Sequence, residues 1–116
     1  MSKSLENKGK KPPGLEQAVE LMKALSHPVR LSILCNLIHW GEMTAGEIVD
    51  SEKNNASQSQ VSQYLGILRD LDYVAARREG QVVYYTIRNK TVKKIVEDLY
   101  NTYCGDKKKG KDSCLT

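Results

Sequence analysis

Two short capping signatures, each followed by apolar residues at helical spacing, constrain the fold more than any other feature of the sequence. Thr44 stands three residues before Glu47, and Ser57 stands three residues before Gln60. In an S/T-x-x-E/Q pattern the first and last side chains each satisfy a backbone N–H of the opening helical turn. The sequence therefore predicts two consecutive helices, separated by a polar run over residues 50–56.

Apolar spacing and turn residues predict the remaining elements. A second helix begins with Pro28 at its first position and stops at Gly41. Residues 74–78 and 82–87 are β-prone runs around Glu79-Gly80, which is typical of a β-hairpin. The predicted fold is mainly α with a small β-hairpin wing, in the order α-α-α-α-β-β-α. The apolar stripes are Leu15, Ala18, Val19, Met22 and Leu25 in the first helix, Leu31, Leu34, Cys35 and Ile38 in the second, Ile48 and Val49 in the third, Val61, Leu65 and Leu68 in the fourth, and Val92, Ile95, Val96, Leu99 and Tyr103 in the last.

The solvent face predicted for the fourth helix carries hydroxyls and amides where a surface helix usually carries Lys and Glu. No charged residue occurs over residues 57–68. Gln can bond adenine bidentately, Ser can bond bases or phosphates, and a helix N-terminus favours a phosphate, so this face suits the major groove of DNA. The two arginines before the hairpin turn could reach a minor groove or its phosphates. On composition alone, a merely solvated helix face is an equal alternative. The candidate DNA-binding residues are Ser57, Gln58, Ser59, Gln60, Ser62, Gln63, Tyr64, Arg77 and Arg78.

The net charge of +4 lies in the two ends of the chain. Residues 1–13 sum to +3 and residues 105–116 to +2, so residues 14–104 sum to −1. We therefore expect a basic flexible N-terminal tail over 1–13, a DNA-binding and dimerisation domain over 14–104, and a Lys-rich flexible tail over 105–116. A module that binds nucleic acid without sequence preference through these tails is one alternative.

Several strings in the chain closely resemble the ArsR/SmtB superfamily of bacterial dimeric transcriptional repressors. The resemblance covers about residues 15–105, although the turn before Ser57 looks longer than is usual in the family. It implies a winged helix-turn-helix, double-stranded operator DNA as the partner, and a homodimer paired through its first and last helices. The strings are Ala24-Leu25-Ser26-His27-Pro28-Val29-Arg30-Leu31, Ser57-Gln58-Ser59-Gln60-Val61-Ser62-Gln63-Tyr64-Leu65, Arg77-Arg78-Glu79-Gly80 and Tyr84-Tyr85.

The metal sites for which this family is known are missing from the sequence. The family's thiolate site places Cys-x-Cys at the start of the third helix, where this chain has none. Its other site uses His and carboxylates on the last helix, where this chain offers only Glu97 and Asp98. We therefore expect no metal, and an atypical site of Cys35, His39 and Cys104 remains an alternative.

The cysteines resemble those of another branch of the family. Cys35 and Cys104 match the two cysteines of the BigR, SqrR and HlyU type, which look like dithiol sensors of persulfide or oxidants. The resemblance implies that the reduced form binds DNA and that a disulfide or short polysulfide link weakens binding, with reactive sulfur or an oxidant as inducer. Without it, Cys35 would be interpreted as a small buried hydrophobe. Cys114 has no matching position.

Other classes of protein find little support. Neither a secretory signal nor an apolar run of about 18 residues occurs, so we expect a cytoplasmic protein without a membrane partner. Three widely spaced cysteines do not form a secreted disulfide framework. A small thiol oxidoreductase is a weaker alternative, because CxxC, a βαβ pattern and a Gly-rich phosphate loop are all missing. We expect neither enzymatic activity nor a cofactor.

Overall fold

The structure, a computed structural model, describes residue 9 and residues 11–104. Within that part of the chain, five helices and three strands confirm the predicted mainly α fold with a hairpin wing. No helix there is both long enough and apolar enough to cross a membrane. The predicted tails lie outside the described residues except for residues 9 and 11–13. The elements are α1 (Leu15–Leu25), α2 (Pro28–Trp40), β1 (Met43–Thr44), α3 (Ala45–Ser51), α4 (Gln58–Asp70), β2 (Val74–Glu79), β3 (Val82–Ile87) and α5 (Lys90–Tyr103).

Both predicted capping boxes form. The Thr44 hydroxyl accepts the Glu47 N–H at 3.1 Å, and the Glu47 carboxylate accepts the Thr44 N–H at 2.9 Å. Ser57 and Gln60 repeat this exchange at the start of α4. At the other end of a helix, Gly41 stops α2 with a φ of +84°, a conformation that glycine adopts without strain. These devices act over a few residues, which is why sequence spacing located the helix ends.

The end of α4 is fixed by a Schellman motif. The Tyr73 N–H donates to the Leu68 carbonyl and the Asp72 N–H to the Arg69 carbonyl, both at 2.9 Å. Asp72 has a φ of +68°, in the left-handed region where glycine is usual at this position. Tyr73 and Leu68 both belong to the buried core, as the hydrophobic contact of this motif requires. The chain therefore leaves α4 in a fixed direction and enters β2 at Val74.

β3 is the middle strand of a three-stranded antiparallel sheet, with β1 on one side and β2 on the other. The sequence predicted only the hairpin of β2 and β3, because a two-residue strand has no periodicity to detect. β1 pairs Met43 with Tyr85 and Thr44 with Tyr84, so the start of α3 is attached to the sheet. The hairpin turns through two residues beginning with Gly80, whose φ of +63° suits a turn of this length.

α2 lies at the centre of the core and is buried on more than one side. The structure buries Leu34 and Cys35 of the predicted stripe and leaves its other two members half-buried. It also buries Ile33 and Leu37, which lie outside that stripe. A helix that is apolar around most of its circumference is surrounded by the rest of the domain. The predicted stripe therefore covers only part of the buried surface of α2.

The outer face of α1 is open in the monomer. Of the five residues in its predicted stripe only Leu25 is buried. Leu15, Val19 and Met22 are 37%, 44% and 60% exposed. Their spacing of four and three residues places them on one face of the helix. α1 therefore packs against α2 through its other side and presents an apolar stripe to solvent.

Candidate nucleic-acid interface

The polar side of α4 is accessible along its first turns. Val61, Leu65 and Leu68 face the core and are buried, which leaves the remaining positions of the helix outside. Six of the seven candidates on α4 and its cap share this accessible side and are exposed. They are Ser57, Gln58, Ser59, Gln60, Ser62 and Gln63.

The capping box distinguishes the three glutamines. Gln60 Oε1 accepts the Ser57 N–H at 2.9 Å, so the closed box holds this amide in one orientation and uses one of the two lone pairs of its oxygen. Among the described residues, no hydrogen bond holds the side chains of Gln58 and Gln63. Those two amides can therefore present both a donor and an acceptor, as bidentate recognition of adenine requires.

Tyr64 differs from its neighbours because it is half-buried against the start of α2. Its hydroxyl oxygen lies 3.1 Å from Nε2 of His27, and the Arg30 guanidinium lies 5.7 Å from the centre of its ring. The Val29 N–H donates to His27 Nδ1 at 3.2 Å, so in the neutral ring the proton is on Nε2, which donates to Tyr64. The structure thus assigns Tyr64 a bond that attaches α4 to α2. A contact of Tyr64 with DNA stays a prediction.

Arg77 is engaged by carboxylates of the protein itself. Its guanidinium donates to Glu42 at 2.9 Å and to Glu79, and it lies over the ring of Tyr84 at 4.5 Å from the centroid. The hydrogen bond with Glu42 raises the pKa of Arg77 above its already high ordinary value. Nothing in the sequence pointed to Glu42, which lies 35 positions away along the chain. A DNA phosphate would have to compete with these two carboxylates for Arg77.

Arg78 leaves the opposite face of the hairpin, because successive residues of a strand alternate between its faces. It is exposed, stands opposite Val83 in β3, and forms no ion pair among the described residues. The two wing arginines therefore cannot meet one phosphate strand in the same way. Arg78 has its charge available for a phosphate, whereas the charge of Arg77 is already compensated.

Cys35 and Cys104 are in the thiol form on two helices that pack together. Cys35 is 2% exposed in the middle of α2, whereas Cys104 is half-buried directly after α5. α2 and α5 touch where His39 Nδ1 lies 2.5 Å from the Tyr100 hydroxyl oxygen. Cys35 precedes His39 by four residues and Cys104 follows Tyr100 by four, so each cysteine lies about 6 Å along its helix from this contact. Cys114 lies outside the described residues.

The atypical metal site is not assembled in residues 11–104. No three side chains of His, Cys, Asp or Glu come together there in a way that could hold a metal ion. Cys35, His39 and Cys104 therefore do not form such a site. His39 instead bonds Tyr100 and packs edge-on against Trp40, with ring centroids 4.6 Å apart.

A buried carboxylate that the sequence did not reveal lies between α3 and α4. Glu52, the residue after α3, is 1% exposed and accepts hydrogen bonds from Ser32 Oγ at 2.6 Å and Asn36 Nδ2 at 3.3 Å. Burial raises the pKa of Glu52, and the two hydrogen bonds only partly oppose this effect. Ser32 and Asn36 are one turn apart on a largely apolar helix. Such a pair was the available signal, because buried polar groups need partners.

Comparison with known proteins finds relatives along most of the domain. The family model of bacterial regulatory proteins of the arsR family matches residues 27–76. The HTH-type transcriptional regulator YgaV of Escherichia coli is 40% identical over 89 residues, which cover 77% of this chain and 88% of that protein. The solved structure of HlyU from Vibrio cholerae superimposes with a TM-score of 0.71 at 38% identity and covers 81% of this chain and 99% of its own. The solved structure of the transcriptional repressor BigR from Xylella fastidiosa superimposes with a TM-score of 0.67 at 31% identity and covers 90% of this chain and 100% of its own.

The matched segment contains the part of the candidate interface that lies on α4 and its cap, and it ends just before the two wing arginines. Residues 27–76 run from the cap of α2 into β2 and include all of α3 and α4. The relatives extend the likeness across the remaining helices, at identities well above the level at which only a fold is shared. The chain therefore belongs to the ArsR family of bacterial regulatory proteins and is a DNA-binding transcriptional regulator, not an enzyme, with a winged helix-turn-helix fold.

Proposed function

We propose that the protein is a homodimeric, sequence-specific transcriptional repressor whose affinity for operator DNA is controlled by reversible thiol chemistry at Cys35 and Cys104. The observation that carries this proposal is the position of the two thiols, each one turn from the contact of α2 with α5. Among the relatives, BigR is named a repressor and HlyU an activator. We favour repression because a small dimer that covers its operator excludes other proteins without needing any further contact surface.

The accessible side of α4 supports base reading in the major groove, which admits one α-helix. Gln58 and Gln63 offer complete amides, while the hydroxyls of Ser59 and Ser62 suit bases or phosphates. Arg78 supplies the wing's contact with a phosphate. The remaining candidates contribute less directly. Ser57 and Gln60 close the capping box, Tyr64 bonds His27, and Arg77 bonds Glu42.

The open face of α1 supports the dimer. Leu15, Val19 and Met22 form an apolar stripe that no described part of the monomer covers, and Tyr103 at the end of α5 is 80% exposed. Pairing these two helices across a two-fold axis buries both surfaces at once. The same axis presents two copies of α4 to half-sites about 34–36 Å apart, one turn of DNA.

The chemistry begins at Cys104, the more accessible thiol. Its thiolate attacks the sulfane sulfur of a persulfide donor, which forms a Cys104 persulfide and releases the donor's thiol. The Cys35 thiolate then attacks the inner sulfur, which forms the Cys35–Cys104 disulfide and expels hydrosulfide. Transfer of a further sulfane sulfur before this step gives a polysulfide link instead. A peroxide reaches the same disulfide through a Cys104 sulfenic acid, with loss of water.

A link between the two thiols acts on DNA binding through α5. It draws the end of α5 toward the middle of α2 and competes with the His39–Tyr100 hydrogen bond that now joins the helices. Because α5 is a dimer-forming helix, its displacement changes how the two copies of α4 stand relative to each other. A differential stability of a few kcal/mol between the two arrangements is enough to move the population.

The test combines DNA affinity with the covalent state of the same sample. Affinity for DNA from the protein's own promoter region is measured on reduced protein and after persulfide or disulfide treatment, with intact mass and peptide mapping. We expect a large loss of affinity with Cys35 linked to Cys104, reversed by dithiothreitol. Cys104→Ser abolishes the response and Cys114→Ser preserves it. Unchanged affinity in treated protein, with the cysteines unlinked, would contradict the proposal and leave both cysteines with a structural role only.

A further inference from the structure

Glu52, between α3 and α4, forms hydrogen bonds with both its side chain and its backbone carbonyl. Its side chain accepts hydrogen bonds from Ser32 and Asn36 on α2. Its backbone carbonyl accepts the N–H groups of Asn55 and Ala56, both at 2.9 Å. The next residue along the chain is the N-cap of α4. One residue therefore bonds both α2 and the turn from which the proposed DNA-reading helix starts.

We propose that Glu52 is a positioning residue for DNA recognition, which sets the orientation of α4 by anchoring the preceding turn to α2. This proposal rests on the assignment of α4 as the base-reading helix. Only 1% of the Glu52 surface is exposed, so it acts on DNA through the backbone and not by contact.

The arrangement at the carboxylate is specific. Both donors from α2 converge on the single oxygen Oε2, and among the described residues no hydrogen bond forms at Oε1. Glu52 also lines a cleft of about 430 Å³ together with Ser32 and Asn55. The acidic residue two positions earlier, Asp50 on α3, is exposed, and its carboxylate pairs with Lys53 at 3.6 Å. Ser32 and Asn36 therefore both use an acceptor at position 52, whereas Asp50 bonds no donor of α2 among the described residues.

Removal of the acceptor at position 52 shifts the start of α4. Without it the buried Ser32 hydroxyl loses its acceptor, and the half-buried Asn36 amide keeps only its 3.5 Å contact with Ser51 Oγ among the described residues. Moving the turn or admitting water relieves the unpaired Ser32 hydroxyl. Only four residues separate Glu52 from the N-cap Ser57. The carbonyl of Glu52 holds two of those four, so a shift of the turn displaces the capping box and the glutamines beyond it.

The experiment compares Glu52→Ala, Glu52→Gln and the matched control Asp50→Ala in the full chain. The probe is a duplex that the wild-type protein selects from a random-sequence library, measured against a scrambled duplex of the same composition. Urea unfolding of each variant, at the temperature of the binding assay, verifies that all of them are folded there. Hydrogen exchange of the amides of Asn55 and Ala56 reports the turn itself, in the absence of DNA.

We expect Glu52→Ala to lower the ratio of selected to scrambled affinity by about tenfold and to speed exchange at the two amides. Glu52→Gln keeps the acceptor and stays within about twofold of wild type, as does Asp50→Ala. A folded Glu52→Ala protein with an unchanged ratio overturns the proposal, and so does a Gln variant that behaves like the Ala variant. Failure of the wild type to distinguish the duplexes would refute base reading by α4, and the proposal on Glu52 falls with it, whatever the exchange rates show about the turn.

Discussion

The cap of α4 and the base reading proposed for its polar side can be tested separately by substitution. Ser57→Ala removes the hydroxyl that accepts the Gln60 N–H at 3.1 Å. Loss of an N-cap costs about 0.5–2 kcal/mol of folding free energy, and each kcal/mol lowers the Tm of a domain of this size by roughly 4–8 °C. Gln63→Ala removes an exposed side chain that no described residue holds, so the unfolding free energy should change by less than about 0.5 kcal/mol.

Gln63→Ala, which leaves stability almost unchanged, should instead lower DNA affinity. A bidentate contact of Gln63 with adenine is worth about 1–3 kcal/mol, or about 5- to 150-fold in Kd. Gln63→Ala loses this only on duplexes that carry the contacted base pair. Gln60→Ala loses affinity and stability together, because its Oε1 also closes the capping box.

The assay is fluorescence anisotropy on a panel of duplexes with single base-pair changes, accompanied by urea unfolding of each variant. Gln17→Ala is the matched control, an exposed glutamine on α1 far along the chain from α4. A uniform loss of affinity across the panel for Gln63→Ala would refute base reading by this residue. An unchanged unfolding free energy for Ser57→Ala would refute the capping argument.

Three further predictions concern the wing, the buried carboxylate and the outer face of α1. Arg78→Ala should weaken binding to all duplexes and reduce the salt slope of log Kd by about one, whereas Arg77→Ala should do less because Glu42 already pairs its charge; equal effects would contradict this distinction. Burial raises the pKa of Glu52 in the folded protein. Between the ordinary pKa and the raised one, the folded protein binds a proton at Glu52 that the unfolded chain has released. The free energy of unfolding therefore falls as pH rises through that window. Glu52→Gln should remove this dependence in urea unfolding across mildly acidic pH, and an unchanged slope would assign it to another group. Met22→Lys should convert the dimer to a monomer in sedimentation with unchanged helical circular dichroism, and persistence of the dimer would contradict pairing through α1.

Local features of this fold could be predicted because short stretches of sequence encode them. The hydrogen bonds at 44–47 and 57–60 span three residues, and Gly41 stops α2 through its own backbone. The exposed polar side of α4 followed from the same reasoning, since its period and its cap fix which positions face the core.

Features that depend on distant parts of the chain could not be predicted in this way. Glu52 appeared in the sequence as one member of a polar run, and its burial depends on two donors from α2. Tyr64 lies three residues after Val61 and four before Leu68, so spacing places it beside the buried stripe, but its bond to a histidine 37 positions away is not encoded locally. Periodicity showed that α1 is amphipathic but not which part of its apolar surface the monomer covers. In each case the missing information is a contact partner far away in sequence.

The Schellman motif at Asp72 leaves few degrees of freedom between α4 and the wing. Tyr73 is held on both sides, since its N–H bonds the Leu68 carbonyl and its own carbonyl accepts the Arg88 N–H at 2.8 Å, just past the end of β3. Backbone hydrogen bonds therefore fix the angle between α4 and the hairpin. In the dimer proposed above, a signal that alters DNA affinity has to move the helix and hairpin of one protomer relative to those of its partner, because the angle within each protomer is already set.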